Sequence, residues 1–455
     1  MIEQIRQMGV LIGDFTSPGQ TKADDVYPGH PNGVQVSRDR WLLVSNTRGY
    51  RFDDDERSIV YQLRRGAPDG PVVTEGVLAR GRDGWDPLGD GSDWFRMHGH
   101  PVVFGVPKGA LIGGRVPPHA NLFAVKWRAV GIRIQARGAR PIRNPGAMVV
   151  EWIQCRLNDR EDDLEIVQPV TPLRQRGFEE GDAFCRFPGG ERVRWMNQSF
   201  VQAVPYNGPC TEWIDVNHFD GGRIAAFKHA YDPSDGRYHW VQTGPLAGGG
   251  NDLLFEAGVV NVDGTWLIAA RRKNMGPDGR TDMGAREGVA WIRTEDPFAH
   301  MPAPVYADHP PAYAPLTIYR AADGALRLFT PLARGDTFRM WDLDPKVSGP
   351  RGIRTPLRCW DIDPGDLSAS DERIVFDSYD FGLPIRKESN PTIDMCKLLP
   401  HAGGSEQYVV HRVRPDSLNV PCTNVLVNEQ EKTCAGIYYE KIVYPRSYPG
   451  VWTFA

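Results

Sequence analysis

The 455-residue chain contains no apolar run approaching the roughly 18 residues of a membrane-spanning helix, which excludes a bundle of such helices. It also lacks a preponderance of either charge. With 53 basic and 57 acidic side chains it has no broad basic field for nucleic acid and no polybasic tail for an anionic membrane, so partners of those kinds are not expected. Cysteine is scarce: the seven include no CxxC pair and are odd in number, which argues for reduced, mostly buried thiols rather than a disulfide framework. Cys210, His218 and His229 come nearest to a zinc set, but their spacing matches no compact ligand pattern, so no metal or cofactor is called for by the residues. The opening residues, MIEQIRQMGVLIGDFTSPG, show no basic segment followed by an apolar stretch, and a cytoplasmic location is the expectation.

Helical periodicity is almost missing too. What is present is turn chemistry, with 49 glycines and 38 prolines, and short runs of branched and aromatic residues such as WLLVS, RIAAF, TWLIAA, ALRLF and QYVVHRV. These runs share a frame: an apolar strand, a turn that usually contains Asp-Gly, and a second apolar strand ending near a basic residue. The frame recurs at 33–48, 102–115, 216–228, 258–272, 316–330 and 393–412. Irregular repetition of a hairpin predicts an all-β fold, a single β-propeller over 1–455 with six or seven four-stranded blades, the seventh hidden in the long interval between the second and third units. A pair of β-sandwich domains is the alternative, but it does not require the hairpin to return so often. In a propeller, ligands bind where loops from several blades converge on one mouth of the channel, so functional residues are expected beside these hairpins.

Three segments concentrate unusual chemistry. The segment 47–58, TRGYRFDDDERS, holds Arg48 and Arg51, which can fork a carboxylate, beside Asp53, Asp54 and Asp55. In 95–128, His98 and His100 open a hairpin and His119 follows it. Because a hairpin returns its ends to one place, His119 is expected near one of the other two, where imidazoles can shuttle a proton or neutralise a carboxylate. In 200–232, Tyr206 precedes a hairpin that carries Arg223 and Lys228, and a neighbouring cation makes a phenol easier to deprotonate. The next unit repeats the arrangement with Glu256 and Arg271.

The hairpin from His98 to Trp127, and VPYN followed by DGGRIAAFKH, resemble the propeller-type polysaccharide lyases of the sialidase superfamily, the ulvan and rhamnose-glucuronate lyases. TRGYRFDDDERS and FEAGVVNVDGTWLIAARR are instead similar to sialidases, although no clean Asp-box repeat is present. The lyase resemblance implies cleavage of an acidic, uronic acid-containing oligosaccharide by β-elimination. Tyr206 would be base and acid, His98 or His100 with His119 would neutralise the carboxylate, and Arg223 or Lys228 would lower the Tyr206 pKa. The sialidase resemblance implies a glycoside hydrolase built on Glu256, the aspartates and the arginines. A propeller that binds sugar without catalysis is the third expectation, and in every case the partner is an acidic oligosaccharide or glycoside.

Overall fold

A computed structural model describes residues 2–12, 26–49, 56–85, 94–133, 142–177, 184–188, 190–194, 202–219, 221–250, 252–274, 288–307, 309–310, 315–331, 356–377, 390–400, 402–416 and 436–455. Each recurring unit contributes at least one strand to a different antiparallel blade, and there are six blades, with no helix among the described residues. Blade 1 comprises Val26–Ser37, Arg40–Gly49, Glu56–Arg65 and Val72–Ala79, counted from the channel outward. Blade 2 comprises Trp94–Val106, Leu122–Arg133, Ile142–Leu157 and Leu164–Pro172, with Arg82–Trp85 added beside its first strand. Blade 3 is Ala203–Pro205, Glu212–Phe219, Arg223–Asp232 and Arg237–Thr243, with Ala247–Gly248 paired onto it. Blade 4 is Asp252–Val262, Thr265–Asn274, Val289–Thr294 and Val305–Ala307, and blade 5 is Thr317–Arg320, Leu326–Pro331, Leu357–Ile362 and Ala369–Phe376. Blade 6 takes Asn390–Leu398, Gly403–Asp416 and Gly436–Pro449 from one end of the chain and Gln4–Ile12 from the other. The innermost strands touch in ring order, blade 1 through blade 6 and back to blade 1, which closes the channel.

The count is six because the long interval holds no extra blade. It is filled by the extended outer strands of blade 2 and by a two-stranded hairpin, Phe184–Arg186 with Arg192–Arg194. Two of the expected hairpins also lie elsewhere in their blades. The one at 216–228 joins the second and third strands of blade 3, and ALIGG supplies only the short strand Ala110–Leu111, which pairs with Thr453–Phe454 outside the blades. The simplest of the turns explains the recurrence of Asp-Gly: Val262 pairs with Thr265, so Asp263 (φ 51°) and Gly264 (φ 93°) form the whole turn, and both central residues take the left-handed conformation that a primed hairpin demands.

The core is a set of seams between blades rather than one central mass. Ile214 and Ile224 of blade 3 pack with Val259 and Ile268 of blade 4, for example, and Val260 and Leu267 of blade 4 pack with Ile318 and Leu328 of blade 5. The seam between blades 2 and 3 contains charge. Lys126 is bonded to Asp215, which also lies 2.8 Å from Nε2 of His229, and all three are buried. Burial pulls the Lys126 ammonium and the His229 imidazole below their ordinary values. It would raise the Asp215 carboxyl, but its interactions with Lys126 and His229 outweigh that and hold the group at about 2.

Candidate functional site

Four of the six innermost strands carry the same irregularity part-way along their length. In each, two residues oppose one across the ladder: between the pairs Gly29/Asn46 and Asn32/Val44, Gly99/Arg128 and Val102/Lys126, Phe255/Arg271 and Gly258/Ala269, and Asp394/Arg412 and Lys397/Val410. Each bulge holds one non-glycine residue at positive φ: His30 (26°), His100 (54°), Glu256 (49°) and Met395 (54°). Such a conformation costs a side chain about 1–3 kcal/mol, and bulges re-aim the residues they contain, which makes this level of the channel the place to look for chemistry.

Glu256 and Arg271 meet there. Arg271, on the second strand of blade 4 opposite the residue before the bulge, donates from its Nη1 to Glu256 Oε2 at 3.2 Å, and both side chains are largely buried. The same register position is occupied by Arg128 in blade 2 and Arg412 in blade 6, both buried. His218 of blade 3 approaches from the other side, with its Nδ1 3.5 Å from the Glu256 backbone nitrogen and its ring edge-on to Phe255. Lys397 of blade 6 is the next cation. It is buried, and burial pulls its ammonium down to about 7 although Cys396 and Glu256 act in the opposite direction. Glu256 and Lys397 lie on the innermost strands of blades 4 and 6, each at or directly after the bulge of its strand. Gln202 spans the same interior, donating from blade 3 to the carbonyls of Val259 in blade 4 and Ile318 in blade 5.

The histidines are arranged differently from the expectation. His100 stacks on His30 of blade 1, with ring centroids 3.7 Å apart and planes inclined by 22°. His98 is buried beside Glu151, its Nε2 3.5 Å from the carboxylate that also accepts a hydrogen bond from Trp127 Nε1 at 3.3 Å. His119 sits in the connection beyond Val106, packed on Tyr231 and Tyr238, and burial lowers its pKa although the nearby backbone of Cys210 and Pro209 acts in the opposite direction. The cross-strand partner of His98 is Ala129, not His119, and the eight residues from His98 to Val106 span about 26 Å of strand. The ends that a hairpin returns to one another are the strand ends, and His119 belongs to the turn.

Tyr206 lies at the end of the first strand of blade 3, stacked on Trp266 and edge-on to Phe298, with Lys228 Nζ 4.2 Å from the ring centre. Tyr206 and Lys228 are therefore neighbours as expected, but the ammonium lies over the ring face as a cation–π contact. Burial, with Asp296 and Glu212 nearby, raises the phenol above its ordinary value instead of lowering it. Arg223 is bonded to Glu191 at 2.7 Å, on the hairpin outside the blades. Arg48 falls within the strand Arg40–Gly49, whose side chain at that position lies outside the described set, as do Arg51 and Asp53 to Asp55 entirely. Among the described residues, Tyr206, His98, His100 and His119 are thus not shown in contact with one another, and Glu256 with Arg271 is the expected pair that the fold assembles on the innermost strands of blade 4.

Cys210, His218 and His229 also lie apart: Cys210 beside Gly208, His218 beside Glu256 and His229 beside Asp215. Among the described residues, Asp232, Asp235 and His239 form the one group with metal-ligand geometry. They are the turn of an outer hairpin of blade 3, where Arg176 already bonds Asp232 at 2.6 Å and His239 bonds Asp235 at 2.8 Å. His30 and Lys397 were missed in the sequence. A signal existed for His30, since the tripeptide Gly-His-Pro occurs at 29–31 and again at 99–101.

No protein-family model matches the chain, and no curated protein matches it. Among solved structures, it is similar to a Trypanosoma rangeli sialidase in complex with the inhibitor DANA, at 11% identity and a TM-score of 0.55 over 97% of this chain and 60% of that one. It is likewise similar to a protein of unknown function from Dyadobacter fermentans, at 10% identity and a TM-score of 0.51 over 97% of this chain and all of that one. The likeness is one of fold, a six-bladed β-propeller.

Proposed function

We propose that the chain is a glycoside hydrolase acting on an acidic sugar, with Glu256 as the channel carboxylate that attacks the anomeric centre or activates the attacking group. The observation that carries this is the Glu256–Arg271 pair, a carboxylate and a guanidinium bonded on the inner wall of a sialidase-type propeller. A charge-assisted bond to the planar guanidinium fixes the rotation of the carboxylate, and a fixed base is worth more in the transition state than a mobile one. Arg271 beside that carboxylate, with buried Arg128 and Arg412 at the same register position in blades 2 and 6, favours a substrate carrying its own negative charge over a neutral one. Glycoside hydrolysis uses two carboxylates, and Asp53 to Asp55, between the strands ending at Gly49 and beginning at Glu56, supply the candidates for the second. Tyr206, with its raised phenol pKa and its ring packed between blades, is a poor general base, which weighs against elimination.

Incubation with sialic acid and uronic acid glycosides in oxygen-18 water separates the two chemistries. Hydrolysis puts one heavy oxygen into a product and makes no chromophore. Glu256→Gln is expected to lower kcat by about 10² to 10⁴ and Tyr206→Phe to leave it within a few-fold. An unsaturated product absorbing in the near ultraviolet, lost in Tyr206→Phe and retained in Glu256→Gln, would overturn the hydrolase in favour of the lyase.

A further inference from the structure

The bulge that carries Glu256 is gripped from the neighbouring blade at two points. Glu256 and Ala257 together oppose the single residue Ala270, and Glu256 takes a φ of 49°. A bulge disrupts the ladder of its own sheet, and a side chain at positive φ persists only where its surroundings over-determine it, so part of the restraint has to come from outside the hairpin. Blade 3 supplies it. His218, buried near the end of the strand Glu212–Phe219, accepts from the Glu256 backbone N–H through Nδ1 at 3.5 Å, and its ring meets Phe255 edge-on with centroids 5.4 Å apart. The N–H contact is long, as those of active sites often are before a substrate is bound. On the other side of the bulge, buried Gln202 donates to the Val259 carbonyl at 2.8 Å, and its amide oxygen lies so close to Gly258 that a Cβ there would come within 3.0 Å of it.

The direction of the first contact fixes the state of the imidazole. A backbone N–H can only donate, so Nδ1 carries no proton and the ring is the neutral tautomer with its hydrogen on Nε2. A protonated ring would set donor against donor and give up the contact. We propose that His218 is a positioning residue for the reaction at Glu256, holding the bulge in the conformation that aims the carboxylate by accepting from the Glu256 backbone N–H; this rests on the glycoside hydrolase reading above. Arg271 restrains the far end of the side chain at 3.2 Å, but the backbone places its near end, and a change of φ at Glu256 swings everything beyond the Cα. A displacement of about 1 Å at a reacting group costs on the order of 10²-fold in rate, and it does so without removing the contacts that bind the ground state. The defect expected on losing this contact is therefore in kcat rather than in KM.

Two variants separate the acceptor from the ring. His218→Phe keeps a ring against Phe255 but puts carbon in place of Nδ1, whereas His218→Asn discards the ring and keeps an acceptor, because the Asn amide oxygen stands as many bonds from the backbone as Nδ1 does. With methylumbelliferyl glycosides of sialic acid and glucuronic acid as substrates, His218→Phe is expected to lower kcat about 10- to 100-fold with KM within about threefold, and His218→Asn to bring kcat back to within about threefold of wild type. Circular dichroism establishes that each variant is folded. If His218→Phe keeps the rate, or His218→Asn loses as much as His218→Phe, the acceptor is not what matters; the proposal is then overturned, while the hydrolase stands on Glu256→Gln. A second measurement needs no substrate. Long-range proton–nitrogen NMR of histidine-labelled wild-type protein at neutral pH should show the His218 ring unprotonated at Nδ1 and protonated at Nε2. Its signals are those, among the eleven histidines, that vanish in a folded variant or show a nuclear Overhauser contact with the Phe255 ring. A proton on Nδ1 refutes the proposal whatever the enzyme acts on. If wild-type protein cleaves neither glycoside, the hydrolase reading and this role fall together.

Discussion

Lys397 shows what burial does to a single residue. Its sequence context, IDMCKLLP, reads as an ordinary strand with two charged positions, and nothing in it announces a perturbed group. The perturbation comes from the fold, which places the ammonium on the channel wall away from water, with a folded pKa of about 7 against an ordinary value near 10.5. The unfolded chain therefore binds the proton more tightly than the folded protein between about pH 7 and 10.5, and in that window stability rises with pH. Below about pH 7 both states are protonated and the penalty is constant. Lys397→Met is expected to raise the unfolding free energy near pH 7, on the order of a few kcal/mol, and the gain should shrink toward zero as the pH approaches 10.5. Urea unfolding across that range measures it, and a gain independent of pH would show that the lysine is not buried in its charged form. Glu256 and Arg271, by contrast, were legible as a pair because both flank one hairpin, and a hairpin's partners follow from its register.

At the scale of the strand and the seam, the period of two determines which side chains face a neighbouring blade, but not which blade they meet. Lys126, Asp215 and His229 lie on three strands of two blades, and their sequence positions give no sign that they form one buried cluster. Removing one charge from such a cluster strands the others. Asp215→Asn is expected to cost about 3 kcal/mol at neutral pH, measured by denaturant unfolding. Because the folded carboxyl titrates at about 2 against an ordinary value of 3.8, its contribution is present above about pH 4 and is lost as the pH falls toward 2. The variant should therefore lose less stability than the wild-type protein across that interval. An unchanged acid limb would mean that other carboxylates dominate it. The bulges belong to this scale as well: the tripeptide that repeats in blades 1 and 2 is visible in the sequence, but that the two copies face each other follows from the blades being adjacent.

The whole molecule is held as a ring, and the ring is completed by a strand from the far end of the chain. Gln4–Ile12 pairs with Gly436–Pro449, so blade 6 is closed by residues more than 400 positions apart in sequence. Deleting residues 2–12 would leave Gly436–Pro449 as an unpaired edge and open the seam between blades 6 and 1, where Leu11 packs with Trp41, Val410 and Tyr439. The expected outcome is a thermal midpoint lowered by more than about 5 °C together with self-association at concentrations where the full chain is unassociated, read by circular dichroism and size-exclusion chromatography. A midpoint unchanged by the deletion would show that the ring does not depend on this closure.

Fold class was determined by the sequence alone, because a β-hairpin is a local object whose turn residues and alternating apolar positions lie within about fifteen residues of one another. Recurrence of that object is enough to call for a propeller: five of the six units from 33–48 to 393–412 are hairpins of different blades, and the one at 102–115 supplies the first strand of blade 2. The number of blades, the position of a hairpin within its blade and the composition of the channel wall were decided only by the tertiary structure. The extended outer strands of blade 2 look, in sequence, like room for another unit, and His119 looks like a partner for His98 until the register pairs His98 with Ala129. Contacts such as His30 with His100, or His218 with Glu256, depend on how blades are placed around an axis, and that placement comes from packing summed over all the seams, which no single segment encodes.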